Sequence, residues 1–251
     1  VFGTDGWRAI IAKEYTVENV ARVSIAVADW LLENNDHPSV LVGHDCRFGG
    51  KLFAETAAKV FAFHAIHVKL AEGFVSTPMV SLGVVNEKAT LGVVITASHN
   101  PPSYNGYKLK GDFGGPLLPD DVTAVENKIP DTNSVNYNAI SMQDLVDEGK
   151  VVYVDLEDMY CKHAEANFDL VSIRHSDMNF TYDAMFGAGM NAVKRLLPNA
   201  TLLHCDDNPG FLGTAPEPIH RNLQEFSNLM KNNDLDLSLI HISEPTRRTP
   251  I

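Results

Sequence analysis

Cysteine is scarce in this chain and is not spaced for use. The three cysteines, Cys46, Cys161 and Cys205, lie far apart with no C-x-x-C. Neither a disulfide framework nor a zinc knuckle is indicated, and a reducing, cytoplasmic setting is the simple reading. Long apolar runs are missing too: no stretch of about 18 uncharged apolar residues occurs, which leaves no candidate membrane-spanning helix. Positive charge is in deficit. Lys and Arg number 20 against 32 Asp and Glu, a formal net charge of -12, and with no basic stripe this argues against nucleic acid and anionic membranes as partners. An anionic substrate would need a locally positive pocket. Of the ten histidines none falls in H-E-x-x-H, and His64 and His67 straddle a helix-to-strand boundary. They read as surface or satisfied polar groups, not as metal ligands. The sequence opens on Val1, ahead of which a few residues are expected to be missing, and no secretory signal is recognisable after it.

What is present is a globular pattern. Apolar residues make up 45% of the 251, enough to bury a sizeable core in one large domain or two ordinary ones. Residues 17–34 set Val17, Val20, Ala21, Val23, Val27, Trp30 and Leu31 near helical spacing, with Thr16 placed to cap. Ser39 to Gly43 reads as a strand, Lys51 to Ala65 as a helix, Ile66 to Leu70 as a strand, and Thr77-Pro78 as a helix start. Thr90 to Thr96, TLGVVIT, is a continuous β-rich run of the kind buried on both faces of a parallel sheet. This alternation predicts an α/β layered domain with right-handed crossovers.

After a predicted helix over Asp120 to Lys128, the polar stretch 130–141 reads as an interdomain linker. A second alternation follows. Residues 156–168 read as a helix, 180–185 as a strand, and Gly187 to Leu197 as a helix after a glycine-rich entry. Residues 201–205 then read as a strand, Pro216 to Lys231 as a helix, and Leu235 to Leu237 as the opening of another strand. No repeat at solenoid periods occurs, and the two successive units are of similar style.

Chemistry concentrates in residues 96–110, TASHNPPSYNGYKLK. Ser98 falls just past the carboxyl end of a predicted strand, the edge of an open α/β sheet where ligands bind. Asn100-Pro101-Pro102 cannot continue a helix, and Asn105-Gly106 favours a tight turn with positive φ. Together they predict a rigid loop that fixes the Ser98 hydroxyl and brings Lys108 back beside it, the positioning that phosphoryl transfer requires. A serine hydrolase is disfavoured. There is no G-x-S-x-G, and neighbours in an extended chain face opposite ways, so His99 is expected to be poorly placed to take the Ser98 proton. An isolated S-H-N-P would be read as an ordinary polar loop. Asp45 and Arg47 follow a strand and can pair with each other or with the first loop, so a structural role is as good a reading as a site role. The F-G-A-G around Gly187 and Gly189 is neither a P-loop nor a dinucleotide fingerprint and reads as a tight strand-to-helix turn. Glu217-Pro218 reads as a fixed turn.

T-A-S-H-N-P-P followed by Y-N-G-Y-K resembles the active-site serine loop of the α-D-phosphohexomutase superfamily, which includes phosphoglucomutases, phosphomannomutases and phosphoglucosamine mutases. F-G-T-D-G-W-R at 2–8 and G-H-D-C-R at 43–47 match in order, as do Y-D-A-M-F-G-A-G at 182–189 and N-P-G-F-L-G-T-A-P-E-P at 208–218. The resemblance covers residues 1 to about 237. It implies the first domain (1–140) and an incomplete second domain (151–237) of a four-domain enzyme, as successive three-layer α/β/α domains with mixed, mostly parallel sheets. It also implies that Ser98 donates a phosphoryl group to a hexose monophosphate, glucose first, and retrieves the other phosphate from a bound hexose 1,6-bisphosphate. Phosphorylated Ser98 would hold about -1.5 to -2 charges and need cations close by. Arg8 and Lys108 match the flanking basic residues, and guanidinium chemistry leaves proton transfer to Lys108 and charge stabilisation to Arg8. His99 matches a residue near the sugar phosphate, and Asn100 orders the loop. Hexose phosphates are the implied partners.

The resemblance also implies Mg2+, held by a D-G-D-x-D-R loop just after the strand that begins at Leu235, with one oxygen from phosphorylated Ser98. This sequence reads LDLSLIHISEPTRRTPI there, with no D-x-D-x-D. Asp234 and Asp236 belong to the strand or its approach and are not expected to substitute, so the metal site reads as incomplete. Residues 238–251 read as a non-native tail, and the chain as a truncated, inactive part of a mutase. Alternatives are a phosphomannomutase of the same mechanism, a non-catalytic phosphosugar-binding fragment, and a phosphoserine hydrolase.

Overall fold

The computed structural model describes residues 2–3, 6–232 and 235–240. Its first unit runs β1 (Trp7–Ile10), α1 (Val17–Asn34), β2 (Ser39–His44), α2 (Gly50–Phe63), β3 (His67–Ala71) and α3 (Thr77–Asn86). It continues through β4 (Leu91–Ile95), β5 (Tyr104–Gly111), α4 (Pro119–Glu126), α5 (Met142–Asp147) and β6 (Val151–Val154). The second unit comprises α6 (Leu156–Asn167), α7 (Leu170–Arg174), β7 (Phe180–Asp183), α8 (Met190–Leu196), β8 (Thr201–Leu203), α9 (Gln224–Asn232) and β9 (Leu237–Ile240). Among the described residues no helix is long and apolar enough to cross a membrane.

The expected α/β architecture holds. The first sheet has the order β1-β5-β4-β2-β3-β6, parallel from β4 to β6, with β5 antiparallel to both β4 and β1. The central strands are buried on both faces, as their unbroken apolar runs require. Val40, Val42, Val93 and Ile95 join the core under α1 and α2, while Leu41 and Val94 face a second core under α3 and α6. The second sheet, β8-β7-β9, is parallel throughout.

Where the structure departs from the sequence reading, the cause is tertiary. Asn105-Gly106 is not a turn; both residues lie in β5, paired with Ala9 and Arg8 of β1. Gly106 does not have positive φ. It is glycine because the backbones on both sides press in: a Cβ there would run into the carbonyl oxygen of Thr96 and meet that of Trp7 at 2.9 Å. The stretch 130–141 is packed as well. Val135 is buried against Ala21, Ile25 and Val60, and Arg22 Nε donates to the Pro130 carbonyl at 2.7 Å. Val151–Val154, expected to open the second domain, is β6 and pairs with β3 in the first sheet. Residues 216–223 are not helical beyond one 3-10 turn, so the helix expected from Pro216 begins at Gln224. The strand expected from Leu235 is β9, which includes residues 238–240 of the expected tail; the remainder of that tail and Asp234 lie outside the described residues.

Gly106→Ala should therefore destabilise by about 3 kcal/mol, the upper end of the overpacking range. Urea unfolding should give a lower midpoint at unchanged slope, and a wild-type midpoint would contradict the close approach of β1, β5 and the serine loop.

Candidate active site

The loop that follows β4 is built from hydrogen bonds to Thr96. Its hydroxyl donates to Asp45 Oδ2 and accepts the Ser98 N–H at 3.0 Å. These bonds hold Ser98 at φ 56, the left-handed region that serine seldom occupies. Because the chain turns there, the alternation of an extended strand does not apply. Ser98 Oγ lies 3.3 Å from His99 Nδ1, so the expectation that His99 faces away is corrected.

Arg47 fastens the same loop from below. Its Nη2 donates to the carbonyls of Ser98 and Asn100, both at 2.7 Å, and its Nη1 to those of Pro101 at 2.9 Å and Tyr104 at 3.2 Å. Asp45 balances the charge, with Oδ2 at 3.4 Å from Arg47 Nε, and its Oδ1 accepts the Arg47 backbone N–H at 3.0 Å. Burial pushes the guanidinium pKa down, Asp45 opposes that, and Arg8 adds to it. The Phe211 ring centroid stands 5.1 Å from this guanidinium.

Two more cations converge from neighbouring strands. Arg8 on β1 sits opposite Gly106, and its Nη1 donates to Asn100 Oδ1 at 3.0 Å. Lys108 on β5 sits opposite Val94 and is buried, its stem against Gly6, where a Cβ would come within 2.9 Å of Lys108 Cγ. Burial holds the His99 imidazole below its usual pKa, and the charges of Arg8, Lys108 and Arg47 push the same way against Glu217. Ser98, His99, Asn100, Arg8, Lys108, Asp45 and Arg47 are thus one cluster. It supplies the positive pocket that an acidic protein needs for an anion.

Residues that the sequence reading passed over complete the cluster. Thr96 is one, and its signal was a lone hydroxyl ending an apolar run. Ala188, Phe211 and Pro216, together with Gly187, cover Ser98 from the second unit; nothing in their local sequence marks them for that place. The bend after β7 is made by Met185 and Phe186 at φ 47 and 58, while Gly189 is at an ordinary -86. Asp236 lies ahead of β9, where its Oδ2 accepts the Asn179 N–H at 2.8 Å. Among the described residues no group of three or more His, Cys, Asp or Glu side chains could hold a metal ion. Asp45, the carboxylate in the cluster, is already engaged by Thr96 and Arg47. The described residues do not fit a Mg2+ site.

Arg47→Met should leave four carbonyls without their donor and Asp45 unbalanced, at a cost of about 3 kcal/mol or more in urea unfolding. Arg47→Lys should recover little of it, because an ammonium lacks the planar fork. In a proton NMR titration His99 should show a midpoint below 6.5. The unfolded state then takes up this proton first, so the stability contribution is complete above pH 6.5 and is lost as pH falls toward the folded-state value. A midpoint at or above 6.5 would contradict the burial and the cationic surroundings.

Comparison with known proteins agrees with this geometry. The description "Phosphoglucomutase/phosphomannomutase, alpha/beta/alpha domain I" matches residues 1–136, and the corresponding domain II matches residues 158–241. The second match continues past Leu237, where the resemblance was expected to stop. The chain is 31% identical over 237 residues to a phosphoglucomutase of Neisseria meningitidis serogroup B, covering 92% of this chain and 48% of that one. It is 27% identical over 261 residues to a phosphoglucomutase of Staphylococcus haemolyticus, covering 97% and 46%. The crystal structure of a candidate phosphomannomutase from Thermus thermophilus superposes with a TM-score of 0.81 at 32% identity, covering 92% of this chain and 51% of that one. The chain spans about half the length of the relatives it matches. With both domain matches in order and the serine loop intact, the chain belongs to the phosphoglucomutase/phosphomannomutase family.

Proposed function

We propose that this chain is part of a phosphohexomutase that interconverts hexose 1-phosphate and hexose 6-phosphate through a phosphoserine at Ser98. The observation that carries this is the hydroxyl of Ser98 at the carboxyl edge of a parallel sheet, on a loop fixed by Thr96, Asp45 and Arg47 and flanked by Arg8 and Lys108. A pre-positioned oxygen amid cations is what phosphoryl transfer asks of a protein. Glucose is the first substrate to test, since several relatives are named phosphoglucomutases, and mannose is the second.

In the forward step the bond from phosphorus to Ser98 Oγ breaks while a bond forms from phosphorus to a hydroxyl oxygen of the sugar monophosphate. The sugar hydroxyl loses its proton to Lys108, which enters this step as the neutral amine. Arg8 stabilises charge on the transferring group, Arg47 keeps the loop in place, and Ser98 Oγ, as it is freed, takes up the proton that Lys108 received. The reverse step returns the other phosphate of the bound hexose 1,6-bisphosphate to Ser98. Mg2+, which the family resemblance implies, would supply Lewis acidity to the phosphoryl group. The described residues do not fit it. We place the domain boundary between β6 and α6, after the last strand of the first sheet, and the protein in the cytoplasm, in keeping with three buried free thiols.

The chain alone, half the length of its relatives, is expected to show negligible turnover of glucose 1-phosphate in a coupled assay; robust turnover would overturn that. A longer protein containing this segment should lose activity by about a thousandfold or more on Ser98→Ala. Lys108→Met should remove one limb of its pH–rate profile, whereas Arg8→Met should lower the rate without changing the profile's shape. Release of inorganic phosphate in place of isomerised sugar would point to a hydrolase.

A further inference from the structure

We infer that Phe211 is a gate over Ser98, and that the cavity behind Phe211 receives its ring when the gate opens and then holds the group that reacts with the Ser98 hydroxyl. Ser98 is only 3% exposed. The space above it, between Asp45, Cys46, Gly187, Ala188, Phe211 and Pro216, amounts to about 10 Å³. That is about the room one water needs, and a phosphoryl group is several times larger, so none enters while these walls stand.

The walls are not equally fixed. Cys46 and Ala188 belong to a buried cluster with Tyr182, Ala184 and Met190. Phe211 belongs to the irregular segment between β8 and α9, whose backbone hydrogen bonds are local. Phe211 N–H donates to Asn208 O at 2.9 Å, Gly213 N–H to Gly210 O at 2.7 Å and Thr214 N–H to Phe211 O at 2.9 Å. Phe211 and the next residue, Leu212, sit at φ 47 and 50, a region bulky side chains avoid. Leu212 is 73% exposed, so packing does little to hold it there. Phe211 itself is 4% exposed, and one of the contacts that seat its ring is the Arg47 guanidinium at 5.1 Å.

On its other side Phe211 borders a cavity of about 310 Å³ at the carboxyl ends of β7 and β8. Phe211 and Pro216 line both spaces, so a ring that leaves Arg47 has room to turn without displacing the core. The cavity is furnished for a phosphorylated polyol. His204 Nδ1–H donates to the buried carboxylate of Asp183 at 2.9 Å, which fixes the imidazole, and its Nε2 lies 3.4 Å from Glu225 Oε2. Arg221 and Gln224 share the wall. Glu225 and Gln224 suit sugar hydroxyls and Arg221 suits a phosphate. The identity of this occupant rests on the proposed function, whereas the gate does not.

The test uses the chain as it stands with Ser98→Cys, followed by iodoacetamide alkylation and peptide mass spectrometry. Cys161, also buried, is the internal reference. The gate predicts that the thiol at position 98 reacts faster than Cys161 and with little dependence on urea below the unfolding transition, because opening exposes little surface. Labelling at both positions with the same urea slope overturns it. Adding Phe211→Ala should raise the rate at position 98 by about tenfold or more, and Phe211→Tyr, which keeps the ring, should not. Equal rates for the Ala and Tyr forms overturn the gate. With Ser98 intact, glucose 1,6-bisphosphate is then added. The phosphorus–sugar oxygen bond breaks, the Ser98 Oγ–phosphorus bond forms and the serine proton passes to the freed sugar oxygen. Phosphoserine should form faster in the Phe211→Ala chain. No phosphoserine in either chain overturns the occupant; the thiol rates decide the gate, and the Ser98→Ala result in the longer protein decides the proposed function.

Discussion

A single buried guanidinium organises the chemistry of this protein. Between β4 and β5 the chain must reverse through a segment containing Pro101 and Pro102, so its carbonyls have no ladder to join. Leaving several of them buried without donors would cost more than the loop could return. Arg47 answers four at once with two nitrogens, at 2.7 to 3.2 Å. Its own charge would be prohibitive without Asp45 beside it. The left-handed Ser98, the nearby His99 ring and the Asn100 side chain that Arg8 holds are all downstream of that one arrangement.

The electrostatics follow the same logic. A chain with formal net charge -12 keeps Arg8, Arg47 and Lys108 around one hydroxyl. Their combined field, on top of burial, disfavours the charged form of His99. A neutral imidazole next to Ser98 can accept the serine proton when Oγ attacks a phosphoryl group. In a chain of that net charge this cluster is a place where an anion is welcome.

Much of this was legible from residue patterns. The helix read over 17–34 is α1 to the residue, because an amphipathic period and a capping Thr16 are local signals. The run 90–96 contains β4, whose five residues are all buried, since only a strand covered on both faces accepts so continuous an apolar stretch. Ser98 and Lys108 stood out because they share one short segment, whereas Arg8 came only with the family resemblance and Arg47 was open to a structural reading. What was hidden depends on neighbours distant in sequence. Asn105-Gly106 has the composition of a turn, yet its glycine answers the backbones of Thr96 and Trp7. The polar stretch 130–141 has the composition of a linker, yet Val135 finds a buried site between α1 and α2. Phe211 lies more than a hundred residues from Ser98 and meets it only through the fold.

The join between β6 and α6 has a consequence for how the molecule holds together. Val154 ends a strand of the first sheet, Asp155 caps the next helix by accepting the Asp158 N–H at 2.8 Å, and Leu156 is buried at once against Leu41 and Gly83. The core so formed mixes Met79 and Val80 with Cys161 and Ala192, residues of both units. No slack tether separates them. The two units therefore share a thermodynamic fate: melting one strips apolar cover from the other.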